Sequence, residues 1–219
     1  TVVEEALPTQ TLPDWRTRVD AVYAAQERTV GRELMAQLKE LDVARAPLLH
    51  DSNFVEMAAN PRVLAVVQAL LGEWFILNLQ NAVINRPGTT HHQSSWHRDL
   101  PHQNFVISKP IAINALYAID DFSAQSGGTR VIPFTHRMEM LPSSHYIERH
   151  AVTVEIPAGA AIVFDAMLFH RAGANTGNFV RRAVNHLYTI PIMKQQYDFP
   201  AALENRVPAD PSLARLLGF

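Results

Sequence analysis

Apolar side chains recur at spacings of three and four over residues 14–41, at Val19, Val22, Tyr23, Leu34, Leu38 and Leu41. That is the period of an amphipathic helix, and Gly31 is the one position inside it that invites a break. A second helix is fully punctuated in "NPRVLAVVQALLG": Asn60 suits the N-cap, Pro61 the first helical position and Gly72 the C-terminal cap. From Trp74 onward the period changes. Short apolar or β-branched runs ("WFILNLQNAVINR", "IAINALYAI", "TRVIPF", "AVTVEI", "AAIVFDAMLFH", "FVRRAVNHLYTI") alternate with Pro, Gly and Asn, and no helical pattern lies between them. This texture predicts an antiparallel sandwich or barrel. The expected fold class is mainly β with flanking helices: a jelly-roll core over residues 74–192, a mostly helical part over 1–73 packed against it, and a tail over 193–219 with one short helix. The stretch "SGGTR" reads as a turn.

Composition narrows this picture. With 219 residues, one domain is expected, since all-β domains often reach about 200–250 residues. Hydrophobic residues at 47% and charged residues at 18% permit a sizeable core. The net charge of -2 and the absence of any long basic run leave no electrostatic footprint for nucleic acid or an anionic membrane. No apolar stretch is long enough to span a bilayer, and no signal-like leader precedes the first helix, so a cytoplasmic protein acting on a small molecule is expected. The chain begins at Thr1 rather than Met, which leaves a preceding segment open, as it leaves the oligomeric state. With no cysteine, a bound metal has only His, Asp and Glu to hold it.

Candidate chemistry begins at "SSWHRDLPHQ". If this stretch enters a strand, His97 and Asp99 share one face, with Cα atoms about 6–7 Å apart, while Trp96 and Arg98 share the other. A lone His-X-Asp triplet carries little weight, because such triplets occur by chance. A third donor stands at His170, at the end of "AAIVFDAMLFH". The segment "RAGANTGN" that follows is rich in turn residues and predicts a hairpin near Asn175 and Thr176, with His170 roughly opposite Arg181. Two His and one carboxylate on one side of an ion leave positions open for substrate and oxygen, as in non-heme Fe(II) oxygenases. A nearby arginine can grip a carboxylate with two parallel hydrogen bonds. A 2-oxoglutarate cosubstrate, chelating through one end, needs such a cation for its other end.

With these residues in view, the chain resembles the phytanoyl-CoA dioxygenase family of Fe(II)- and 2-oxoglutarate-dependent oxygenases. "WHRD" is similar to the family's His-X-Asp element, "DDFSAQSGGTRVIPFTHR" to its acidic, glycine-bearing central stretch, and "HRAGANTGNFVRR" to its distal His and Arg segment. The resemblance runs from about Asn60 to the terminal "LARLLGF". It implies a double-stranded β-helix of cupin type, with His97, Asp99 and His170 as iron ligands. Arg181, eleven residues after His170, matches the arginine that binds 2-oxoglutarate. Periodicity alone leaves Arg182 as a competitor, since a one-residue slip exchanges the faces of a strand. Asn114 and Gln80 resemble positions facing the cosubstrate and active site, and His102 and Gln103, which follow the triplet closely, are expected at the substrate entrance.

The sequence departs from the family where Phe134 and Thr135 replace Gly and Ser before His136, and where Ala172 replaces a Ser that helps bind the distal carboxylate in some members. Asp99 is present, whereas relatives that halogenate lack the carboxylate, so the implied reaction is hydroxylation of an unactivated C–H bond, with O2 consumed and 2-oxoglutarate converted to succinate and CO2. Two other readings stay open: a metalloenzyme on the same scaffold that does not use 2-oxoglutarate, and a non-catalytic jelly-roll binding protein. Trp96 is expected in the core, His136 and His186 in structural roles, His50, His145 and His150 at the surface, and His91 and His92 in a polar loop. Arg98 and Arg171 beside the ligands hint at an acidic substrate or are simply solvated.

Overall fold

A computed structural model describes residues 1–89, 92–100 and 106–219. The long amphipathic stretch folds as α1 (Leu12–Val30) and α2 (Arg32–Gln37). Between them Gly31 takes φ +88°, a left-handed value open to glycine. The break shifts the phase of the second helix: Met35 is buried, while Leu34 and Leu38, expected on the apolar face, are exposed. After α3 (Phe54–Ala58), α4 (Pro61–Leu71) begins as its sequence predicts, with the Asn60 side chain accepting hydrogen bonds from the Arg62 and Val63 N–H groups and Gly72 closing it.

The strands are β1 (Val2–Val3), β2 (Val43–Arg45), β3 (Ile76–Asn85), β4 (Ala112–Ala118), β5 (Arg130–Val131), β6 (Val152–Thr153), β7 (Ala161–Asp165), β8 (His170–Arg171) and β9 (Arg181–Thr189). A six-stranded antiparallel sheet runs β1-β7-β4-β9-β3-β2, and a three-stranded sheet β6-β5-β8 faces it. This is a jelly roll flanked by helices, the expected fold class. The remaining helices are α5 (Ser144–His150), between β5 and β6, and α6 (Phe199–Ala202) and α7 (Pro211–Leu217) in the tail. The tail therefore carries two short helices where one is expected. No helix among the described residues is long and apolar enough to cross a membrane.

The two faces of the large sheet have different partners. The outer face, with Ile84, Ile113, Tyr117, Val163, Val184 and Tyr188, packs on Trp15, Val19, Phe54, Met57 and Val63 of the helices. Tyr117 and Tyr188 donate to the carbonyls of Met57 and Ala58, which satisfies acceptors at the end of α3. Gln26 of α1 donates to the Val43 carbonyl and accepts from the Arg45 N–H, so a helix side chain covers the free edge of β2. Arg182 bridges Asp20 of α1 and Asp120 after β4, and Arg16 meets the same Asp120 at 2.5 Å.

The outer face also claims Gln80, which the resemblance placed toward the cosubstrate. Gln80 is fully buried beneath the helices: Oε1 accepts the Leu48 N–H, Nε2 donates to the Phe54 carbonyl, and Nε2 lies 2.7 Å from His186 Nε2. Side chains in β3 alternate, so Gln80 sits with Ala82 and Ile84 on the helical side and cannot reach the interior. A second correction concerns the hairpin. His170 and Arg181 are not paired; β8 pairs with β5 and β9 with β3 and β4, so residues 172–180 cross from one sheet to the other.

Two predictions follow from the outer face. Gln80→Ala strands two buried backbone groups and should lower the unfolding free energy by about 2–4 kcal/mol in a denaturant titration, with metal affinity per folded molecule unchanged. Burial holds the His186 pKa down at about 3, so the unfolded chain binds a proton there more readily than the folded one. The stability this residue contributes is complete above about pH 6.5 and is lost as the pH falls toward 3, by up to about 1.4 kcal/mol per pH unit. Unfolding titrations at pH 7 and pH 5 should show this drop, and His186→Phe should reduce it.

Candidate metal centre

Between the sheets the apolar packing is divided. One cluster gathers Leu116, Ala118, Phe122, Ile156, Ile162 and Ala183; another gathers Leu79, Leu100, Ala112, Met167 and Leu187. The polar residues Asn114 and Asn185, and the donors from the small sheet, lie between them.

His97 forms a single antiparallel bridge with His170, whose strand β8 thereby gains one more neighbour. The segment is otherwise irregular rather than the regular strand the sequence suggests, but alternation still holds: the N–H and C=O of His97 pair with those of His170, and the Asp99 N–H bonds to the Ala166 carbonyl. His97, Asp99 and His170 come together with their donor atoms within 4.8 Å of one another. Asp99 Oδ1 is 3.7 Å from His97 Nε2, and Oδ2 is 3.6 Å from His170 Nε2. Both imidazoles are oriented by main chain, His97 Nδ1 against the Ser95 carbonyl at 2.7 Å and His170 Nδ1 against the Leu168 carbonyl at 2.9 Å. A carbonyl fixes the proton on Nδ1 and turns the Nε2 lone pair into the cavity, the arrangement of a metal-ligating histidine. Burial lowers the His170 pKa and outweighs the opposing pull of Asp99, which keeps this ring neutral and able to ligate.

The opposite face of the triplet is occupied by structure. Arg98 stacks on Phe169 at 3.9 Å and donates to the main-chain carbonyls of Met167, Glu139, Thr135 and Met138. It anchors the loop after β5 and is not available to a substrate. Trp96 is half-buried beneath the Arg171 guanidinium rather than in the core. In the same loop Phe134 adopts φ +65°, a left-handed conformation that the family's glycine takes without strain, while the Thr135 hydroxyl donates to the Ile132 carbonyl and accepts the Phe169 N–H.

Arg181 enters from the start of β9. Alternation along that strand turns Arg181, Ala183, Asn185 and Leu187 inward and Arg182, Val184, His186 and Tyr188 outward. Arg181 is buried, with its guanidinium 4.7 Å from the Phe122 ring centroid and one donor on the Gly127 carbonyl at 2.8 Å. Gly127 has φ +73°, and a Cβ there would lie 2.5 Å from both Asn85 Nδ2 and the Gly173 oxygen, so only glycine brings this carbonyl so close. No carboxylate lies within ion-pair distance of Arg181 among the described residues, and the positions outside them, Thr90, His91 and Pro101 to Phe105, include no Asp or Glu. Burial lowers its pKa to about 10, which leaves it cationic at neutral pH.

His170, Arg181, Asn185, Thr129, Ala172 and Phe164 line one narrow cavity of about 30 Å³. Asn185 donates to Asp99 Oδ2 at 3.5 Å and to Asn114 Oδ1 at 3.3 Å. His97 Nε2, Asn114 Nδ2, Arg181 Nε and Asn185 Oδ1 are buried without a hydrogen-bond partner. Asn185 and Thr129 carry no sequence signal of their own; strand phase relative to Arg181 is the only one that could have marked Asn185. His102 and Gln103 lie outside the described residues, as does His91, and His92 is described only in its main chain.

The donor set fits a hard-to-borderline divalent ion: two imidazoles and a carboxylate, with the uncommitted Nε2 of His97 aimed at the same point. Donors held at about 2.0–2.2 Å from one ion lie roughly 3–3.6 Å apart, so small side-chain movements suffice to complete the site.

Comparison with known proteins bears on the family and the fold. Residues 1–183 match the family model described as phytanoyl-CoA dioxygenase (PhyH). An uncharacterised protein of Mycobacterium tuberculosis is 38% identical over 217 residues, covering 94% of this chain and 77% of its own. The dioxygenase hkm4 of Aspergillus hancockii is 31% identical over 124 residues, 53% of this chain and 39% of its own. Among solved structures, the non-heme α-ketoglutarate-dependent epimerase SnoN from nogalamycin biosynthesis aligns with a TM-score of 0.60 at 20% identity, over 87% of this chain and 77% of that one. The non-heme monooxygenase ThoJ aligns with a TM-score of 0.68 at 19% identity, over 84% and 71%. The chain belongs to the phytanoyl-CoA dioxygenase family and has the cupin-like scaffold of its oxygenases.

Proposed function

We propose that the protein is an Fe(II)- and 2-oxoglutarate-dependent dioxygenase that hydroxylates an unactivated C–H bond of a small organic substrate. The observation that carries this reading is the clustering of three metal donors, one of which, His170, shares a cavity wall with a buried arginine that lacks an acidic partner among the described residues. His97, Asp99 and His170 hold the iron. Bound iron and 2-oxoglutarate together supply the oxidising chemistry, with O2 consumed and succinate and CO2 released.

The chain's own residues bind and position. Arg181 takes the distal carboxylate of 2-oxoglutarate, and because it is buried its attraction for that group is little screened by water. The Thr129 hydroxyl shares the wall with Arg181 and stands in for the side-chain hydroxyl that Ala172 lacks. Asn114 and Asn185 hold Asp99 in place and offer the unpartnered Asn114 Nδ2 and Asn185 Oδ1 to groups bound beside it. Phe164, 4.9 Å from the His170 ring, excludes water from that side of the ligand. His102 and Gln103 are assigned to the substrate entrance. Asp99 completes the carboxylate position, which supports hydroxylation as the outcome. The need for a distal carboxylate clamp is what favours this reading over a metalloenzyme without 2-oxoglutarate or a binding protein.

Anaerobic addition of Fe(II) and then 2-oxoglutarate should produce a visible charge-transfer band that His97→Ala abolishes. In air, the wild-type protein should release succinate. The absence of both the band and succinate would refute the assignment. Arg181→Gln should weaken 2-oxoglutarate binding by at least about 30-fold, corresponding to about 2 kcal/mol or more, with iron affinity retained. Arg182→Gln should instead lower the melting temperature through loss of its links to Asp20 and Asp120, and leave 2-oxoglutarate affinity unchanged.

A further inference from the structure

Seven buried side-chain nitrogen or oxygen atoms lack a hydrogen-bond partner among the described residues. Four belong to Arg181 and Asn185, which line the cavity, and to His97 and Asn114 near them, and one is His186 Nδ1 beneath the helices. The remaining two are Nε of Arg130 and Nε of Arg171, which the oxygenase reading does not use.

These two arginines stand directly opposite each other on β5 and β8. The next pair in the ladder is Val131 with His170, so alternation puts both guanidinium groups on the sheet face away from the metal donors. Like charges in directly opposed positions of an antiparallel pair are destabilising. Elsewhere in the fold, Arg16, Arg18, Arg45, Arg86 and Arg182 each meet a carboxylate. Arg130 and Arg171 meet none among the described residues, and the undescribed positions contain no acid. Both are half-buried. The Arg171 guanidinium is held 4.9 Å from the Trp96 ring centroid, and burial followed by the charge of Arg130 lowers its pKa. A stacked guanidinium has its face covered and its edge donors directed outward, the geometry that matches an oxyanion.

We propose that Arg130 and Arg171 form an oxyanion-binding site on the outer face of the three-stranded sheet, taking a phosphate or carboxylate group between them. The anion replaces the repulsion of the pair with charge-assisted hydrogen bonds to the guanidinium edges. Trp96 and Arg171 adjoin His97 and His170 in the chain, so an occupied site braces the two segments that carry the imidazole donors.

The site is complete without metal, which makes it testable apart from the oxygenase reading. Metal-free protein is titrated with inorganic phosphate, phenyl phosphate and acetate at constant ionic strength set by chloride, and the arginine Nε–H signals are followed in 15N-correlated spectra. The two signals missing from Arg130→Lys and Arg171→Lys should shift saturably, and either substitution should weaken binding at least tenfold. Phenyl phosphate binding more tightly than phosphate identifies a group carried on a larger molecule; equal affinities identify a free phosphate; saturation by acetate alone identifies a carboxylate. As a second variant, Arg130→Gln should melt no lower than wild type in chloride, because it relieves repulsion, and should lose the rise in melting temperature that phosphate gives the wild type. No saturable shift with any probe, a shift that persists in the double lysine variant, or a shift abolished by Arg181→Gln alone would overturn the proposal.

Discussion

Strand β9 is hydrogen-bonded on both sides, to β3 and to β4, and the phase of its alternation governs both layers of the protein. A slip by one residue would turn Arg182 into the cavity and bury Arg181 under the helices. Neither side tolerates the exchange. Outside, Arg182 is matched to Asp20 and Asp120, which lock α1 onto the sheet; inside, Arg181 rests on Phe122 and the Gly127 carbonyl. The two arginines are neighbours in sequence with opposite environments, one neutralised by acids and one held as an uncompensated cation.

An uncompensated buried cation is costly, and so are buried amides and imidazoles without partners. Four of the unpartnered atoms, on His97, Asn114, Arg181 and Asn185, lie on the inner side of the large sheet or beside it, with apolar packing on either side, so the interior carries polar groups that the fold itself leaves unsatisfied. The large sheet is anchored independently of that cavity, through its outer face: Gln80, Tyr117, Tyr188 and Gln26 all place their polar ends on main-chain groups of the helical layer or the edge strand. This division of labour lets the inner face carry polar residues that a core would not otherwise accept.

Much of the fold was legible from local signals. The α4 boundaries followed from Asn60, Pro61 and Gly72, because caps act within one turn, and the strand runs after Trp74 followed from turn residues between β-branched segments. Where expectation and structure parted, the cause was tertiary. Leu34 and Leu38 are apolar and correctly spaced, but the turn at Gly31 gave the inward position to Met35. Residues "RAGANTGN" had hairpin chemistry, yet His170 found its partners in His97 and Val131, and the segment became a crossover between sheets. Gln80 has the polarity of a ligand-facing residue and is used instead to satisfy the main chain of Leu48 and Phe54.

By itself the sequence determined the class of elements, the jelly-roll architecture, and the donor types available to a metal in a chain without cysteine, because periodicity, caps and side-chain chemistry are local properties. Only the tertiary structure decided which face each strand residue occupies, and with it the separation of Arg181 from Arg182, the placing of Asn185 beside Asp99 and the pairing of Arg130 with Arg171. These depend on register between strands far apart in the chain, and register is set by the packing of whole sheets.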